Sequence, residues 1–267
     1  MNDFSIFVSS SDNYSDIWDL FFDMFQKFWP EFQGKIYLQT ETKDYRHDGL
    51  NIVCTKVGKH RFFGETLRAG LAKVKEDNIL LFMIDYMIMG KVDDDKIKDY
   101  FRFFLAHDCD SLCLYPQQYV TNQPTEHADL IRAVPPCGKV MFGYQVAFWK
   151  KNVLEDMGAL PHENPWMSEW YGCDRAEKMK LHIVCTRKGI KPIPYDARGC
   201  LHQGKWLTNA IEVLEKINYP MDFSKRGIYD DSKGYRSMSY RLRIKWTILM
   251  TGLRGSFWDL IKRKRIH

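Results

Sequence analysis

Residues 79–86, Ile79-Leu80-Leu81-Phe82-Met83-Ile84-Asp85-Tyr86, decide the fold. An unbroken apolar run of this length, closed by an acid, predicts a strand buried on both faces, as in parallel sheets covered by helices on each side. In an open α/β sheet ligands gather beyond the carboxyl ends of the strands, so Asp85 is presented to a cleft. An anionic oxygen held rigidly there suits a divalent cation carrying a nucleotide diphosphate. The plainer alternative is an Asp that caps the next turn.

Working outward, the pattern repeats. Phe4 to Ser9 (FSIFVS), Lys35 to Thr40 (KIYLQT) and Leu50 to Cys54 read as strands, and Tyr14 to Trp29 as an amphipathic helix stopped by Pro30. A helix from about Glu65 to Lys75 leads into the 79–84 strand. Strands alternating with helices imply crossover connections and a largely parallel sheet. Further on, Asp93 to Asp95 open a helix to about Ala106, Ser111 to Tyr115 form a strand, and residues 116–137, polar and broken by prolines, form loop or lid. Val140 to Trp149 returns to strand character. Helices near Lys151 to Met157 and Pro165 to Lys178, a strand at His182 to Thr186 and a helix near Leu207 to Lys216 complete the body.

With 267 residues the chain suits one large domain with an appendage. The division expected is a catalytic domain over 1–235 and a basic helical segment over 236–267. Charge supports it. Residues 241–267 hold eight Lys/Arg against the single acid Asp259, a balance of +7, which leaves 31 basic against 33 acidic residues, or −2, for the first 240. A body of that charge argues against a nucleic-acid partner and for an anionic partner at one end. The seven cysteines are odd in number and irregularly spaced, and Met1-Asn2-Asp3 begins no apolar leader, so the expected compartment is a reducing cytoplasm. No second ligand pair follows Cys109 and Cys113 at zinc-finger spacing, and no local signature marks a cysteine nucleophile.

Five blocks then carry a resemblance: Phe63 to Leu71 (FGETLRAGL), the strand ending Ile84-Asp85-Tyr86, Gln145 to Leu154 (QVAFWKKNVL), Glu163 to Ala176 (ENPWMSEWYGCDRA), and Gly204-Lys205-Trp206. In order and spacing they resemble bacterial glycosyltransferases of GT-A type, which assemble lipopolysaccharide O-antigen and capsule chains. The resemblance covers residues 4 to 217, with the Asn-Pro-Trp block its most specific part. It implies a Rossmann-like mostly parallel sheet flanked by helices, a nucleotide-sugar donor (UDP in the family expectation) and transfer to a hydroxyl of a lipid-linked glycan. In that family the strand before the cleft ends in two acids and an aromatic. Here Ile84 takes the first place, so Asp85 and Tyr86 remain, and an Mn²⁺ or Mg²⁺ cofactor rests on Asp85 alone.

The same resemblance sets acids at the places of Met167 and Glu169. Only Glu169 is present, and it is the expected base for an inverting transfer; the alternative is a solvated helix glutamate. Trp166 suits a sugar face or the core. Ser9, Ser10 and Asp12 follow the first strand, where base and ribose contacts lie, though polar residues also simply make turns there. Arg68 has the fork geometry for phosphate. Gln145, His202 and Lys205 join the candidate cleft by the family pattern. Asp at a helix start normally caps it, so the 93–95 run is expected to cap rather than bind metal. A noncatalytic sugar- or nucleotide-binding subunit on the same fold is the competing reading, kept open by Ile84.

The end of the chain carries a separate signal. Leu242, Trp246, Leu249, Met250, Leu253, Phe257, Leu260 and Ile261 share one helical face, with Arg241, Lys245, Arg254 and Lys262 to Arg265 elsewhere. A basic amphipathic helix of this kind suits anionic lipid, which predicts a peripheral position at the inner face of the cytoplasmic membrane. A helix docked on the domain, weakened by Gly252 and Gly255, is the alternative. No apolar run reaches the ~18 residues needed to span a bilayer. The full chain should therefore sediment with anionic vesicles and be only partly released by high salt. A chain truncated after Tyr240 should stay in the supernatant.

Overall fold

The computed structural model describes residues 4–59, 62–117, 121–134, 142–158 and 163–230, without the side chains of Trp166 and Trp170. The basic segment 236–267 and Cys137 lie outside the described residues. Among those described, no helix is long and apolar enough to cross a membrane.

The N-terminal half is built as the alternating pattern requires. Strand β1 (Ser5–Ser9) is followed by a 3-10 turn (Asp12–Ile17) that runs into α1 (Trp18–Phe28), and then by β2 (Lys35–Leu38) and β3 (Asn51–Cys54). Helix α2 (Phe63–Leu71) precedes β4 (Asn78–Met83), and α3 (Asp94–Ala106) follows it. All the pairings in this half are parallel, in the order β3-β2-β1-β4. Alternate residues divide between two cores. Ile6, Val8, Leu80 and Phe82 face the layer that holds α1 and α3, while Phe7, Ile79 and Leu81 face the layer that holds α2. Helix α1 turns Phe21 and Phe25 edge-on to Phe82.

Beyond β4 the sheet becomes mixed. Strand β5 (Ser111–Cys113), the hairpin β6 (Asn122–Pro124) and β7 (Leu130–Ala133), strand β8 (Ala147–Lys150) and strand β9 (Ile183–Thr186) extend it to nine strands, in the order β3-β2-β1-β4-β8-β5-β9-β7-β6. Strands β7 and β8 run against the other seven. Helices α4 (Lys151–Met157) and α5 (Pro165–Lys178) lead to β9; a small hairpin of β10 (Leu201–His202) and β11 (Lys205–Trp206) and helix α6 (Thr208–Lys216) follow it.

Two stretches differ from the sequence expectation. Residues 116–137 are not all loop: β6 and β7 lie within them. The Asn-Gln-Pro strand is fully exposed, so no apolar alternation betrays it, and Pro124 is tolerated because β6 is an edge. Contacts to α3 hold the connection: His127 Nε2 lies 2.8 Å from Asp99, while Lys96 and the Tyr100 hydroxyl reach Asp129 at 2.6 and 2.7 Å. Second, the strand expected over 140–149 begins, among the described residues, only at Ala147, because Tyr144 and Gln145 turn towards a cavity instead. The polar runs around Gly204 were likewise not legible as a hairpin.

Strand β8 joins the two halves, and Phe148 packs at its centre with ring centroids 4.9 Å from Phe4, 5.1 Å from Phe101 and 6.0 Å from Phe104. Truncating a buried Phe costs about 3–5 kcal/mol. Phe148→Ala should accordingly lower the unfolding free energy by that amount, read as a lower urea midpoint without a change in m-value.

Candidate active site

The chain runs from β1 outward to β2 and β3, then returns to lay β4 on the other side of β1. The crevice at such a reversal, beyond the carboxyl ends of the strands, is where open α/β sheets bind ligands. The last rung of this ladder is Ile84 N–H to Ser9 O at 3.0 Å. Past it both strands open into a cavity of about 680 Å³, lined on this side by Ser9, Ser10, Ser11, Met83, Ile84, Asp85 and Tyr86. That volume is in the usual range for small-molecule sites. The rim is tied down from behind: the Trp18 indole N–H donates to Ser10 Oγ at 2.8 Å, and Gln39 Nε2 donates to Ser10 O at 2.7 Å.

A second wall comes from the loop before β10. Gly199 has φ +78°, and a Cβ there would stand 2.7 Å from Asp85 Oδ2. Only glycine meets both demands. The next residue, Cys200, donates its N–H to Asp85 O at 2.8 Å. The β10/β11 hairpin turns on Gln203 and Gly204, at φ 51° and 78°, the left-handed pair that a two-residue hairpin needs. Trp206 O then accepts from Tyr229 N–H at 2.8 Å, which sets the Tyr229 ring 4.4 Å from His202. Arg226 lies 4.9 Å over the Tyr14 ring and pairs with Asp16 at 2.7 Å, so residues 226–229 are anchored to the loop after β1.

The third wall is the start of α5 with residues 144–145. Asn164 caps the helix by accepting from Met167 N–H at 2.9 Å, and Pro165 fills the first position, where no N–H is missed. One turn later Glu169 accepts Tyr144 N–H at 2.8 Å through Oε1. Tyr144 is itself fixed by its hydroxyl, 2.7 Å from Ser168 Oγ. Gln145 is committed to a network: Nε2 donates to Tyr86 Oη at 3.0 Å and Ala197 O at 3.2 Å, while Oε1 accepts from Tyr195 at 2.9 Å.

The structure thus brings Ser9, Ser10, Asp85, Tyr86, Gln145, Glu169 and His202 to one cavity. Asp12, Arg68 and Lys205 are not part of its lining. Asp12 accepts from Glu41, Thr42 and Lys43 N–H at 2.9, 3.0 and 3.2 Å and organises that turn. Arg68 donates to Gly158 O at 3.1 Å, tying α2 to the end of α4. Lys205 is exposed on β11. The Trp166 backbone lies in the first turn of α5, and its side chain lies outside the described residues. Asp93 caps α3 through Lys96 N–H at 3.1 Å, and Asp94 accepts from the Trp29 indole at 2.8 Å. Tyr14, Gln39, Thr66, Tyr144, Arg198 and Tyr229 complete the walls and were not singled out from sequence. Of these, Thr66 lies within the Phe63 to Leu71 block and Tyr144 beside Gln145.

Two half-buried carboxyls therefore share the cavity. Burial pushes Asp85 up to about 6 and raises Glu169 above the ordinary range. Perturbed acids gathered in one cleft mark a candidate catalytic centre.

No family model matches the sequence, and no curated protein does. Among solved structures the chain is similar to S. aureus TarS 1-349 in complex with UDP, at 12% identity and a TM-score of 0.47, over 69% of this chain and 58% of that one. The same protein in complex with UDP-GlcNAc gives 12% and 0.43, over 84% and 69%. A UDP-glucose pyrophosphorylase complexed with UDP-glucose gives 8% and 0.44, over 70% and 90%. The chain spans little more than half the length of the first TarS structures it matches. Likenesses of this degree carry no functional weight, so the chemistry rests on the cavity's own residues.

The buried Asp85 has a consequence for stability. Its folded value near 6 exceeds the usual 3.8, so between those pH values the folded state holds the extra proton. The Asp85 contribution to stability therefore falls as pH rises from about 4 to about 6 and stays lower above, by up to about 3 kcal/mol. Asp85→Asn should raise the melting temperature at pH 7.5 by several degrees and flatten this pH dependence in calorimetry.

Proposed function

We propose that the chain is a GT-A glycosyltransferase that transfers a sugar from a nucleotide-sugar donor, a UDP-sugar by the family resemblance, to a hydroxyl of a lipid-linked surface-polysaccharide precursor. The observation that carries this reading is the meeting of Asp85 and Glu169 in one cavity at the strand-order reversal. A donor nucleoside suits the Ser9 to Ser11 edge, with Asp85 beside the diphosphate and the sugar towards α5.

Transfer with inversion needs a base on the face of the sugar opposite the leaving diphosphate. As the acceptor hydroxyl attacks the anomeric carbon, its proton passes to a carboxylate, and the nucleoside diphosphate departs with the electron pair of the broken C–O bond. Glu169 is suited to this. Tyr144 N–H holds Oε1, so we assign the proton to Oε2. Its raised value makes it a stronger base than a solvated glutamate, and the site needs it ionised, so turnover rises with pH through a range above the ordinary glutamate value. The lipid-linked acceptor and a position at the inner membrane face are supported by the basic, amphipathic pattern of residues 241–265.

Screening donor hydrolysis and transfer against a panel of nucleotide sugars tests the reading. Binding of a nucleotide sugar without turnover would favour the noncatalytic subunit, and no binding at all would sink both. Asp85→Asn should lose donor turnover while keeping its circular dichroism spectrum. Glu169→Gln should lower transfer by about 10²-fold or more, with donor affinity little changed; a loss confined to affinity would remove the base assignment.

A further inference from the structure

The resemblance expects Mn²⁺ or Mg²⁺ between the strand-end acids and the diphosphate, and the residues present do not fit one. Such ions are held by one or two carboxylates together with phosphate oxygens and water. Ile84, apolar and 4% exposed, occupies the place of the first acid and packs into the core. Asp85 is then the single carboxylate at the strand end, and its Oδ2 is pressed against Gly199. The other acids around the cavity already have partners. Glu169 accepts from Tyr144 N–H, Asp16 pairs with Arg226, and Asp12 holds the 41–43 turn. Asp196 accepts from Arg198 N–H and from Asn209. Among the described residues no three His, Cys, Asp or Glu side chains converge on a common point.

Basic side chains of the protein stand on the same wall. Arg198 and His202 flank the Gly199 to Leu201 stretch that crosses the end of β4, and both line the cavity. The Arg198 side chain is 60% exposed, and Asp196 steadies its guanidinium at 3.2 and 3.4 Å. Its donors form a fork that matches phosphate oxygens. His202 is braced by the Tyr229 ring. We propose that Arg198 and His202 hold the donor diphosphate directly, with no bridging divalent cation. This rests on the reading of the cavity as a nucleotide-sugar site.

Titration calorimetry of the full chain with UDP and with uridine, in chelator and in millimolar Mn²⁺, tests the proposal. UDP should bind with the same affinity in both buffers, and more tightly than uridine. Arg198→Ala should weaken UDP by about tenfold or more, the scale of a lost charge-assisted contact, while uridine affinity, which also reports an intact fold, stays unchanged. Arg198→Lys should recover part of the loss. A tenfold gain in UDP affinity on adding Mn²⁺, equal affinity for UDP and uridine, or an Arg198→Ala variant that binds UDP normally or loses UDP and uridine alike would overturn it. If neither nucleotide binds the unaltered chain, the nucleotide-sugar reading itself fails, and this inference with it.

Discussion

The parallel ladder between β1 and β4, from Ser5 opposite Ile79 to Ser9 opposite Met83, is the constraint on which the rest of the molecule depends. These two strands are separated by three crossover connections, and joining them side by side requires each to bury both of its faces. Helices must then cover the sheet above and below, which accounts for two apolar layers rather than one. The ladder also fixes where polar chemistry is affordable. Within it the two backbones pair from Ser5–Ile79 to Ser9–Met83 and every side chain is apolar or small; past the Ile84 N–H to Ser9 O bond the strands separate, and Ser10 and Asp85 line the cavity.

That boundary explains the electrostatic character of the site. Asp85 lies two residues past Met83, the end of a strand that is apolar from Ile79 onward, close enough to the core to lose most of its water and far enough to face the cavity. Such a carboxyl costs folding free energy when charged, a cost that the surrounding aromatic packing offsets. Glu169 reaches a comparable state by another route, on the second turn of a capped helix, where it accepts the Tyr144 N–H. Two acids held above their ordinary range by burial, neither in an ion pair among the described residues, differ from structural ion pairs such as Arg175 with Glu163, where guanidinium and carboxylate satisfy each other.

Closure of the cavity is a long-range matter. The loop over Asp85 comes from residues 195–207, and the outer rim from Arg226 to Tyr229, whose anchor is Asp16, 210 residues earlier in the chain. The loop holds its place through backbone bonds and through Gly199, where a larger residue would strike the carboxylate. The wall carrying Arg198 and His202 is thus registered against the strand end carrying Asp85 by main-chain geometry, which is more rigid than any side-chain contact.

Much of the fold was legible because its signals are local. The run Ile79 to Ile84, the alternation in Phe4 to Ser9, the Asn164-Pro165 start of α5 and the capping Asp93 each depend on residues within a few positions, as strand period and helix capping do. Glu169 and Asp85 were visible as acids at the ends of such elements. The β6/β7 hairpin was not, because an exposed three-residue edge strand is specified by its partner's backbone and by contacts to α3 rather than by its own side chains. Nor were Tyr14, Tyr144, Arg198 and Tyr229 visible as neighbours, or the departure of Asp12, Arg68 and Lys205 from the cavity. By itself the sequence determined the elements and the acids at their ends; the tertiary structure decided which of those polar groups share a wall, since that follows from how strands far apart in the chain pair across the sheet.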